Sequence, residues 1–203
     1  MSGFYKKLKN PIERAFAQGT TEANRIITFT NVDEAIIIGG EFETRIRLDL
    51  FTEALSQFTL GGNLSIIHSS IDIPASELEA RLSIDSNSST TRELQGQSPF
   101  ILNLDLTYDN LNSGTVVSLY FNVFAERLSK VSTNLTPDVY EQPAPQLDLN
   151  ISQQILPNFS IKFGIKNLLN SEYKEVYRYR GDDYIFYSYR RGVDYSLGFD
   201  FNL

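Results

Sequence analysis

The sequence predicts an all-β protein whose antiparallel strands form part of a barrel that spans a membrane. Two observations carry this prediction. Apolar and polar residues alternate with a period of two along most of the chain, and short connections alternate with long ones. A strand with one apolar and one polar face separates lipid from water, and barrels of such strands have short turns at one end and long loops at the other.

The composition limits the classes of protein that fit. The chain has 203 residues, of which 41% are hydrophobic, and its mean hydropathy is -0.22. No apolar run approaches the roughly 18 residues that a spanning helix needs, which excludes a helical membrane protein. The chain has no cysteine, so disulfides, zinc-thiolate sites and thiol nucleophiles are excluded. The net charge of -7 argues against nucleic acid as a partner.

The first half of the chain contains four predicted strands. Their ranges are Gly3–Lys9, Ala35–Leu50, Gln57–Ser70 and Pro99–Asp109. In the clearest of them Leu104 faces one way, while Asn103 and Asp105 face the other. The second strand has the longest alternation, and its face from Ile37 to Asp49 is expected to contact water.

The second half of the chain contains four more predicted strands, so the total is eight. Their ranges are Thr115–Leu128, Gln146–Gln153, Phe159–Leu168 and a last strand from about Tyr189 to Leu203. The last strand places five apolar side chains on one face: Tyr195, Leu197, Phe199, Phe201 and Leu203. A strand of this pattern at the end of the chain is typical of membrane barrels.

The lengths of the connections support the same architecture. The short ones are Phe51–Ser56, Asn110–Gly114 and Gln154–Asn158, and the long ones are Asn10–Arg25, Ile71–Ser98, Ser129–Pro145 and Ser171–Ser188. The two kinds alternate strictly, which places the C-terminus on the side of the short, periplasmic turns. A soluble sandwich has no reason to sort its loops in this way.

The polar face of the predicted strands indicates a large barrel. It carries these charged and amide side chains: Glu41, Glu43, Arg45, Arg47, Asn103, Asp105, Lys162 and Lys166. A barrel of eight strands has room inside only for side chains, whereas a barrel of about 22 strands has a lumen that holds a plug. So many interior charges favour the larger barrel.

Four stretches of the sequence resemble the C-terminal barrel region of TonB-dependent outer-membrane receptors, particularly those of Bacteroidota-like bacteria. They are Leu94–Asn110 (LQGQSPFILNLDLTYDN), Tyr120–Val131 (YFNVFAERLSKV), Pro137–Ser152 (PDVYEQPAPQLDLNIS) and Ile161–Tyr179 (IKFGIKNLLNSEYKEVYRY). The ending YSLGFDFNL is similar to the terminal strand of the family, which usually ends in Phe where this chain has Leu203. With Phe4–Glu13 and Asn31–Arg45, the resemblance covers almost the whole chain.

The resemblance implies a 22-stranded barrel around an N-terminal plug, located in the bacterial outer membrane among lipid and lipopolysaccharide. Such receptors import scarce nutrients such as ferric siderophores, cobalamin or glycans, with energy from the TonB complex. Residues 1–203 are expected to be the last third of the barrel, about eight strands, without the plug, the TonB-contacting region or a signal peptide. The five apolar residues of the last strand are the expected signal for the outer-membrane assembly machinery. No cofactor or metal is expected.

The segment Tyr173–Arg191 is a candidate ligand-contacting loop because tyrosines alternate there with arginines. The candidate contacts are Tyr177, Arg178, Tyr179, Arg180, Tyr184 and Tyr187. Aromatic faces and guanidinium groups can stack on and pair with an anionic, aromatic or sugar ligand. In the alternative interpretation the tyrosines form an interfacial girdle, and the arginines pair with lipopolysaccharide or with Asp182 and Asp183.

Other acidic side chains have simpler explanations than catalysis or metal binding. The acidic residues of Ser69–Ser98 lack the spacing of a calcium loop, and a solvated, mobile loop is expected there. Glu41 and Glu43 are followed on the same face by Arg45 and Arg47, which predicts an ion-pair ladder in the lumen and not a glycosidase pair. An enzyme would have to use His68, the only histidine of the chain, and we expect no enzymatic activity. The remaining alternative is a small stand-alone outer-membrane barrel with a structural or adhesive role.

Overall fold

The computed structural model describes residues 1–17, 26–84, 86–132, 137–179 and 182–201. The strands within these ranges are β1 (Ser2–Lys9), β2 (Ile12–Phe16), β3 (Ile27–Asn31), β4 (Glu34–Arg47), β5 (Phe58–Asp72), β6 (Thr91–Arg92), β7 (Phe100–Asn110), β8 (Thr115–Phe124), β9 (Arg127–Lys130), β10 (Val139–Glu141), β11 (Gln146–Leu156), β12 (Phe159–Lys166), β13 (Glu172–Tyr179), β14 (Asp182–Arg190) and β15 (Asp194–Phe201). The helices are α1 (Ala75–Ile84) and two 3-10 turns, Leu48–Leu50 and Glu53–Leu55. None of the described helices is long and apolar enough to cross a membrane.

The main sheet is an antiparallel meander in the order β1-β4-β5-β7-β8-β11-β12-β15, and β6 is added beside the end of β5. All eight predicted strands are present in it, which confirms the predicted fold class. Three of its turns are the short connections predicted from the sequence, since β4 and β5, β7 and β8, and β11 and β12 are each joined directly.

The register of the main sheet separates an apolar face from a polar face. Asn103 pairs with Asn63 on one side and Asn122 on the other, so amide side chains line up across three strands. Asn122 Nδ2 donates to Asn103 Oδ1 over 2.7 Å. The opposite face exposes large apolar side chains on β4, β5, β7 and β15: Ile38, Phe42, Leu60, Ile66, Phe100, Leu104, Leu106, Leu197 and Phe199. A continuous exposed apolar face of this kind is typical of contact with lipid.

Two arginines of the predicted ion-pair ladder, Arg45 and Arg47, pair with carboxylates other than Glu41 and Glu43. Arg45 on β4 reaches Asp105 on β7, at 3.3 Å, over the intervening β5. The residue between them is Gly61, where an added Cβ would overlap the Asp105 carboxylate. Arg47 instead pairs with Asp49 at 2.9 Å. Glycine on the middle strand therefore makes room for an ion pair that spans three strands.

Most of the long connections contain regular structure, which the sequence did not predict. β9 follows β8, β10 precedes β11, β13 follows β12 and β14 precedes β15. These four extra strands form their own sheet in the order β14-β13-β10-β9, which repeats the order of the main-sheet strands that they extend. The hairpin of β2 and β3 extends β1 and β4 in the same way. The end of the main sheet from which these connections emerge is called the mouth below.

The last strand begins at Asp194, so the predicted start at about Tyr189 is wrong. Tyr189 and Arg190 end β14, which belongs to the sheet at the mouth. The break follows from Gly192, whose φ of 87° ends the strand. Asn170 Oδ1 accepts a hydrogen bond from the Gly192 amide, and its neighbour Asn167 donates to the Gly192 carbonyl, so the bend is held in place.

A small apolar core lies on the polar side of the sheet at the mouth. Its members are Val32, Ala35, Ile37, Ile71 and Leu94, with Phe4, Leu8 and Ile67 packed against them. Ile37 was expected to contact water and is 7% exposed, because Val32 and Leu94 from the long connections cover it. A parallel bridge between Ala15 and Val131 then joins the β2–β3 hairpin to the end of β9. The connections at the mouth therefore fold back over the polar face.

Candidate ligand-binding surface at the mouth

Five charged side chains from distant parts of the chain form a buried network at the mouth, called the mouth cluster here: Glu13, Glu77, Arg81, Arg92 and Asp138. Arg92 is central, with Nη2 at 2.7 Å from Glu13 Oε2 and Nε at 2.9 Å from Glu77 Oε1. Arg81, one helical turn after Glu77, bonds to Glu77 at 2.8 Å and also to Asp138. The side chains of Arg92 and Glu13 are 6% and 0% exposed.

The mouth cluster connects three of the long connections. Glu13 comes from β2, Glu77 from α1, and Asp138 from the segment before β10. Gln95 reinforces the junction, because its side-chain amide both accepts from the Arg14 amide and donates to the Arg14 carbonyl, each at 2.6 Å. The expectation of a solvated loop over Ser69–Ser98 is wrong for the part around Glu77, since this part forms α1 and Glu77 is buried and paired.

The environment of Arg92 favours its charged form. Burial by itself lowers the pKa of the guanidinium, but hydrogen bonds and charge attraction from Glu13 and Glu77 outweigh burial and raise this pKa above its ordinary value. Sequence reasoning missed this network. The spacing of Glu77 and Arg81 at i and i+4 was the one local signal, whereas Arg92 lies 79 residues from Glu13.

The hairpin of β13 and β14 presents a row of tyrosines, called the tyrosine row here: Tyr173, Tyr177, Tyr184, Tyr187 and Tyr189. The register places Tyr173 opposite Tyr189 and Tyr177 opposite Tyr184. The rings of Tyr177 and Tyr184 are stacked at 5.6 Å between centroids, with 16° between their planes. The rings of Tyr173 and Tyr189 are 5.0 Å apart. The segment predicted as a loop is therefore a strand hairpin with one aromatic face.

Glu175 lies between Tyr173 and Tyr177 on the face of the tyrosine row, opposite Tyr187, and anchors the row there. Its Oε1 accepts hydrogen bonds from Ser129 Oγ at 2.5 Å and from the Tyr173 hydroxyl at 3.0 Å, and its Oε2 accepts from Lys130 Nζ at 2.5 Å. Burial raises the pKa of the Glu175 carboxyl, but the hydrogen bonds from Lys130 and Ser129 outweigh it and hold the pKa below the ordinary value. Lys130 also lies 5.0 Å from the ring of Phe186, which in turn packs against Phe16 of β2.

Arg178 lies on the opposite face of the hairpin from the tyrosine row. Its guanidinium pairs with Asp183 at 2.9 Å and with Glu126 at 3.0 Å, and it lies over the ring of Tyr140. The hairpin thus brings three of the predicted contacts to one face, Tyr177, Tyr184 and Tyr187. The side chain of Tyr179 and the whole of Arg180 lie outside the described residues.

The predicted assembly residues of the last strand share one face. Tyr195, Leu197, Phe199 and Phe201 are between 59% and 70% exposed. The ring of Phe199 stacks on that of Phe159 on β12, with centroids 6.2 Å apart. Leu203 lies outside the described residues.

Comparison with known proteins gives the family of the chain. The profile of the family described as "TonB dependent receptor-like, beta-barrel" matches residues 1–168. No curated protein matches the sequence.

Solved structures of this architecture superpose on almost the whole chain at low sequence identity. The structure of the copper transporter OprC has a TM-score of 0.61 at 17% sequence identity, and the superposition covers 99% of this chain and 28% of the OprC chain. The siderophore receptor PiuA from Acinetobacter baumannii has a TM-score of 0.60 at 12% sequence identity, and the superposition covers 97% of this chain and 25% of the PiuA chain. A variant of the ferric enterobactin receptor PfeA from Pseudomonas aeruginosa has a TM-score of 0.55 at 14% identity, covering 98% and 28%.

These similarities confirm the fold and bound the size of the matching region. The chain corresponds to 28% of the length of the copper transporter and 25% of that of PiuA. The profile match covers the main sheet as far as β12, the strands β9 and β10 of the sheet at the mouth, and the mouth cluster, and it ends before β13. The chain therefore belongs to the TonB-dependent receptor family of outer-membrane β-barrels, and it matches the barrel of that family.

Proposed function

We propose that the chain is the C-terminal part of the barrel of a receptor that actively imports a scarce nutrient across the outer membrane. The observation that carries this proposal is the family match over residues 1–168. In this proposal the TonB complex supplies the energy through a plug and an N-terminal region that lie outside these 203 residues. The chain contributes part of the wall of the barrel and part of its mouth, and it catalyses no reaction.

The open edges of the main sheet support a barrel larger than eight strands. Among the described residues β1 and β15 do not pair with each other, and each has a single neighbour. An unpaired strand edge is very costly in lipid, because its amide and carbonyl groups have no hydrogen-bond partners there. We therefore propose that further strands, about 22 in total as the resemblance implies, continue the sheet at both edges. The open edges disfavour the alternative of a stand-alone eight-strand barrel.

The distribution of connections supports an orientation. The mouth carries the folded connections and the tyrosine row, so it faces outward from the cell, and the three short turns and the C-terminus are periplasmic. The exposed apolar face contacts membrane lipid and lipopolysaccharide. In this arrangement the assembly machinery reads the apolar face of β15, from Tyr195 to Phe201.

The tyrosine row is the surface that we propose contacts the nutrient. Tyr184 and Tyr187 present exposed rings and Tyr177 a half-buried ring on one face, and aromatic rings of this kind stack on flat or sugar-like ligands. Arg178 is held by two carboxylates on the other face, where it supports the hairpin. Ferric siderophores, cobalamin and glycans are the classes to test. Siderophores come first, because the similar structures include one named a siderophore receptor and one named a ferric enterobactin receptor.

A growth and uptake experiment tests this function. The gene that contains these residues is deleted, and cells are grown with a single ferric siderophore, cobalamin or a glycan as the limiting source. We expect the deletion strain to lose growth on one source and uptake of that source in radiolabelled form. The gene should restore both only in cells that have TonB. Unchanged uptake of every source, or restoration without TonB, contradicts the proposal.

A variant with Tyr177, Tyr184 and Tyr187 all changed to Ala tests the surface. Uptake should fall while the amount of receptor in the outer membrane stays the same. The control is a variant in which three exposed apolar residues on the lipid-facing side of the main sheet are replaced by other apolar residues: Leu60→Ile, Ile66→Leu and Leu106→Ile. It should transport normally. Normal uptake by the tyrosine variant excludes the row as a contact surface.

A further inference from the structure

We propose that the lipid-facing side of the main sheet, next to the mouth, binds the headgroup of a membrane lipid that carries a primary ammonium. The site is a recess of about 500 Å³, called the outer recess here, and its polar lining residues are His68, Ser70, Thr91, Glu93, Gln97 and Glu126. The ligand is a lipid of the surrounding membrane and not an imported nutrient, so the site does not depend on the transport function.

The outer recess exists because one segment of the chain leaves the main sheet. Between the end of β6 and the start of β7, residues 93–99 belong to no strand. Leu94 of this segment packs beside Ile71 in the apolar core on the polar side of the sheet. The Gly96 amide then donates to the Leu128 carbonyl over 2.8 Å. The segment is therefore displaced toward the polar side, which leaves a hollow beside β5 on the lipid-facing side.

Alternation along the strands places the lining side chains on the lipid-facing side. Ile71 and Arg92 pair with each other and point to the polar side, into the apolar core and the mouth cluster. Ser70 and Glu93 are their neighbours in the sequence, so these two side chains point the opposite way. His68 lies two residues before Ser70 and shares its side of β5.

The outer recess adjoins the exposed apolar face of the main sheet. Ile66 lies two residues before His68 on the same side of β5, and Ile38 pairs with His68 from β4. Phe100 pairs with Ile66 from β7. All three apolar side chains are exposed. The acyl chains of a lipid can cover them while its headgroup enters the recess.

The outer recess offers a carboxylate to a cation. Glu93 is half-buried, and within the described ranges its carboxylate has no ion-pair partner. The two arginines nearby are already bound, since Arg92 points inward to the mouth cluster and Arg178 pairs with Glu126 at 3.0 Å. A half-buried carboxylate without a partner favours a cationic ligand, and it repels a ligand that offers only an anionic group.

The other lining groups indicate which cation fits. A primary ammonium has three N–H donors, whereas a quaternary ammonium has none. Besides the Glu93 carboxylate, the recess contains the Ser70 hydroxyl and the His68 imidazole as acceptors, and neither makes a side-chain hydrogen bond to any other described residue. Three acceptors therefore match the three donors of an ethanolamine or amino-sugar headgroup. The volume of the recess lies in the range of small-molecule sites.

Calorimetric titration of the purified full-length receptor in detergent with short-chain lipids tests this site. Phosphatidylethanolamine is the probe, and phosphatidylcholine is its counterpart with the same phosphate and charge but no N–H donor. The receptor should bind phosphatidylethanolamine about tenfold more tightly, the scale of one charge-assisted hydrogen bond. Glu93→Gln should abolish this preference. Glu79→Gln is the matched control, because it removes an exposed carboxylate from α1, outside the recess, and it should leave the preference unchanged.

Two further measurements test the recess and the source of the ammonium. Ser70→Leu fills the recess and should weaken the binding of both lipids, and unchanged binding would exclude the recess as the site. Free ethanolamine should bind much more weakly than the lipid, because it lacks the acyl chains. Equal affinity for free ethanolamine and lipid would overturn the assignment to a lipid. Equal binding of the two lipids, or a preference that survives Glu93→Gln, would overturn the ammonium site itself.

Discussion

At the residue scale, the charges of this protein fall into two groups that differ in burial. The centre of the mouth cluster is buried, with Arg92 and Glu13 at 6% and 0% exposure. The pair of Arg45 and Asp105 on the sheet is open, at 71% and 22%. Removing one partner of a buried pair leaves the other charge without compensation, whereas an exposed pair contributes little.

Replacing Arg92 with Met tests the importance of the mouth cluster. The change leaves Glu13 and Glu77 buried without a cation, which should destabilise the mouth by about 3 to 5 kcal/mol. Hydrogen exchange of the amides in β2 and α1 should accelerate accordingly. Arg45→Met is the control, with an expected cost of at most about 1 kcal/mol. Equal protection in the two variants would show that the cluster does not hold the connections together.

The carboxyl of Glu175 predicts a dependence on pH. Its pKa in the folded protein lies below the ordinary value of 4.5, so its stabilising effect is complete above pH 4.5 and is lost as the pH falls through the folded-state pKa. Glu175→Gln should therefore lower the thermal stability of the mouth most at neutral pH, and the difference from the natural protein should shrink in acid. A difference that stays constant from about pH 7 to about pH 3 would contradict this role.

At the scale of elements, the sequence predicted the strands that separate lipid from water and missed the strands that do not. β7 alternates Leu with Asn, Asp and Thr because its two faces meet different surroundings. β13 reads EYKEVYRY, in which both faces carry charges or phenols, so no period of two is visible. The mouth cluster was equally hidden, since Arg81 and Asp138 are 57 residues apart. Contacts that form only in the folded chain leave no local pattern.

An arginine placed on either face of β7 tests the two-sided assignment. Leu104→Arg puts a charge into the lipid-facing row and should cost about 2 to 4 kcal/mol, with less protein assembled in the membrane. Asn103→Arg places the same charge on the polar face beside Asn63 and Asn122, where it should be tolerated. Folding assays in lipid vesicles and the amount of assembled protein give the comparison. Similar losses of stability and of assembled protein in both variants would contradict the assignment of faces.

At the scale of the whole molecule, the main sheet carries its folded connections at one end, the mouth. The β2–β3 hairpin, α1 and the segment around Gln95 fold over the polar face and are joined there by buried ion pairs. The tyrosine row belongs to the same mouth, because Phe186 behind it contacts Phe16 of that hairpin. A change in the position of the hairpin would therefore reach the tyrosine row through packed side chains.

The central claim is that one face of every main-sheet strand contacts lipid and the other contacts water, and the absence of cysteine makes it directly measurable. Single cysteines at positions 102 to 106 are labelled with a fluorophore in the protein reconstituted into vesicles that contain a lipid-borne quencher. The account predicts strong quenching at Leu102, Leu104 and Leu106 and weak quenching at Asn103 and Asp105. Uniform quenching along the strand, or a protein that stays folded and monomeric in buffer without detergent, would contradict it.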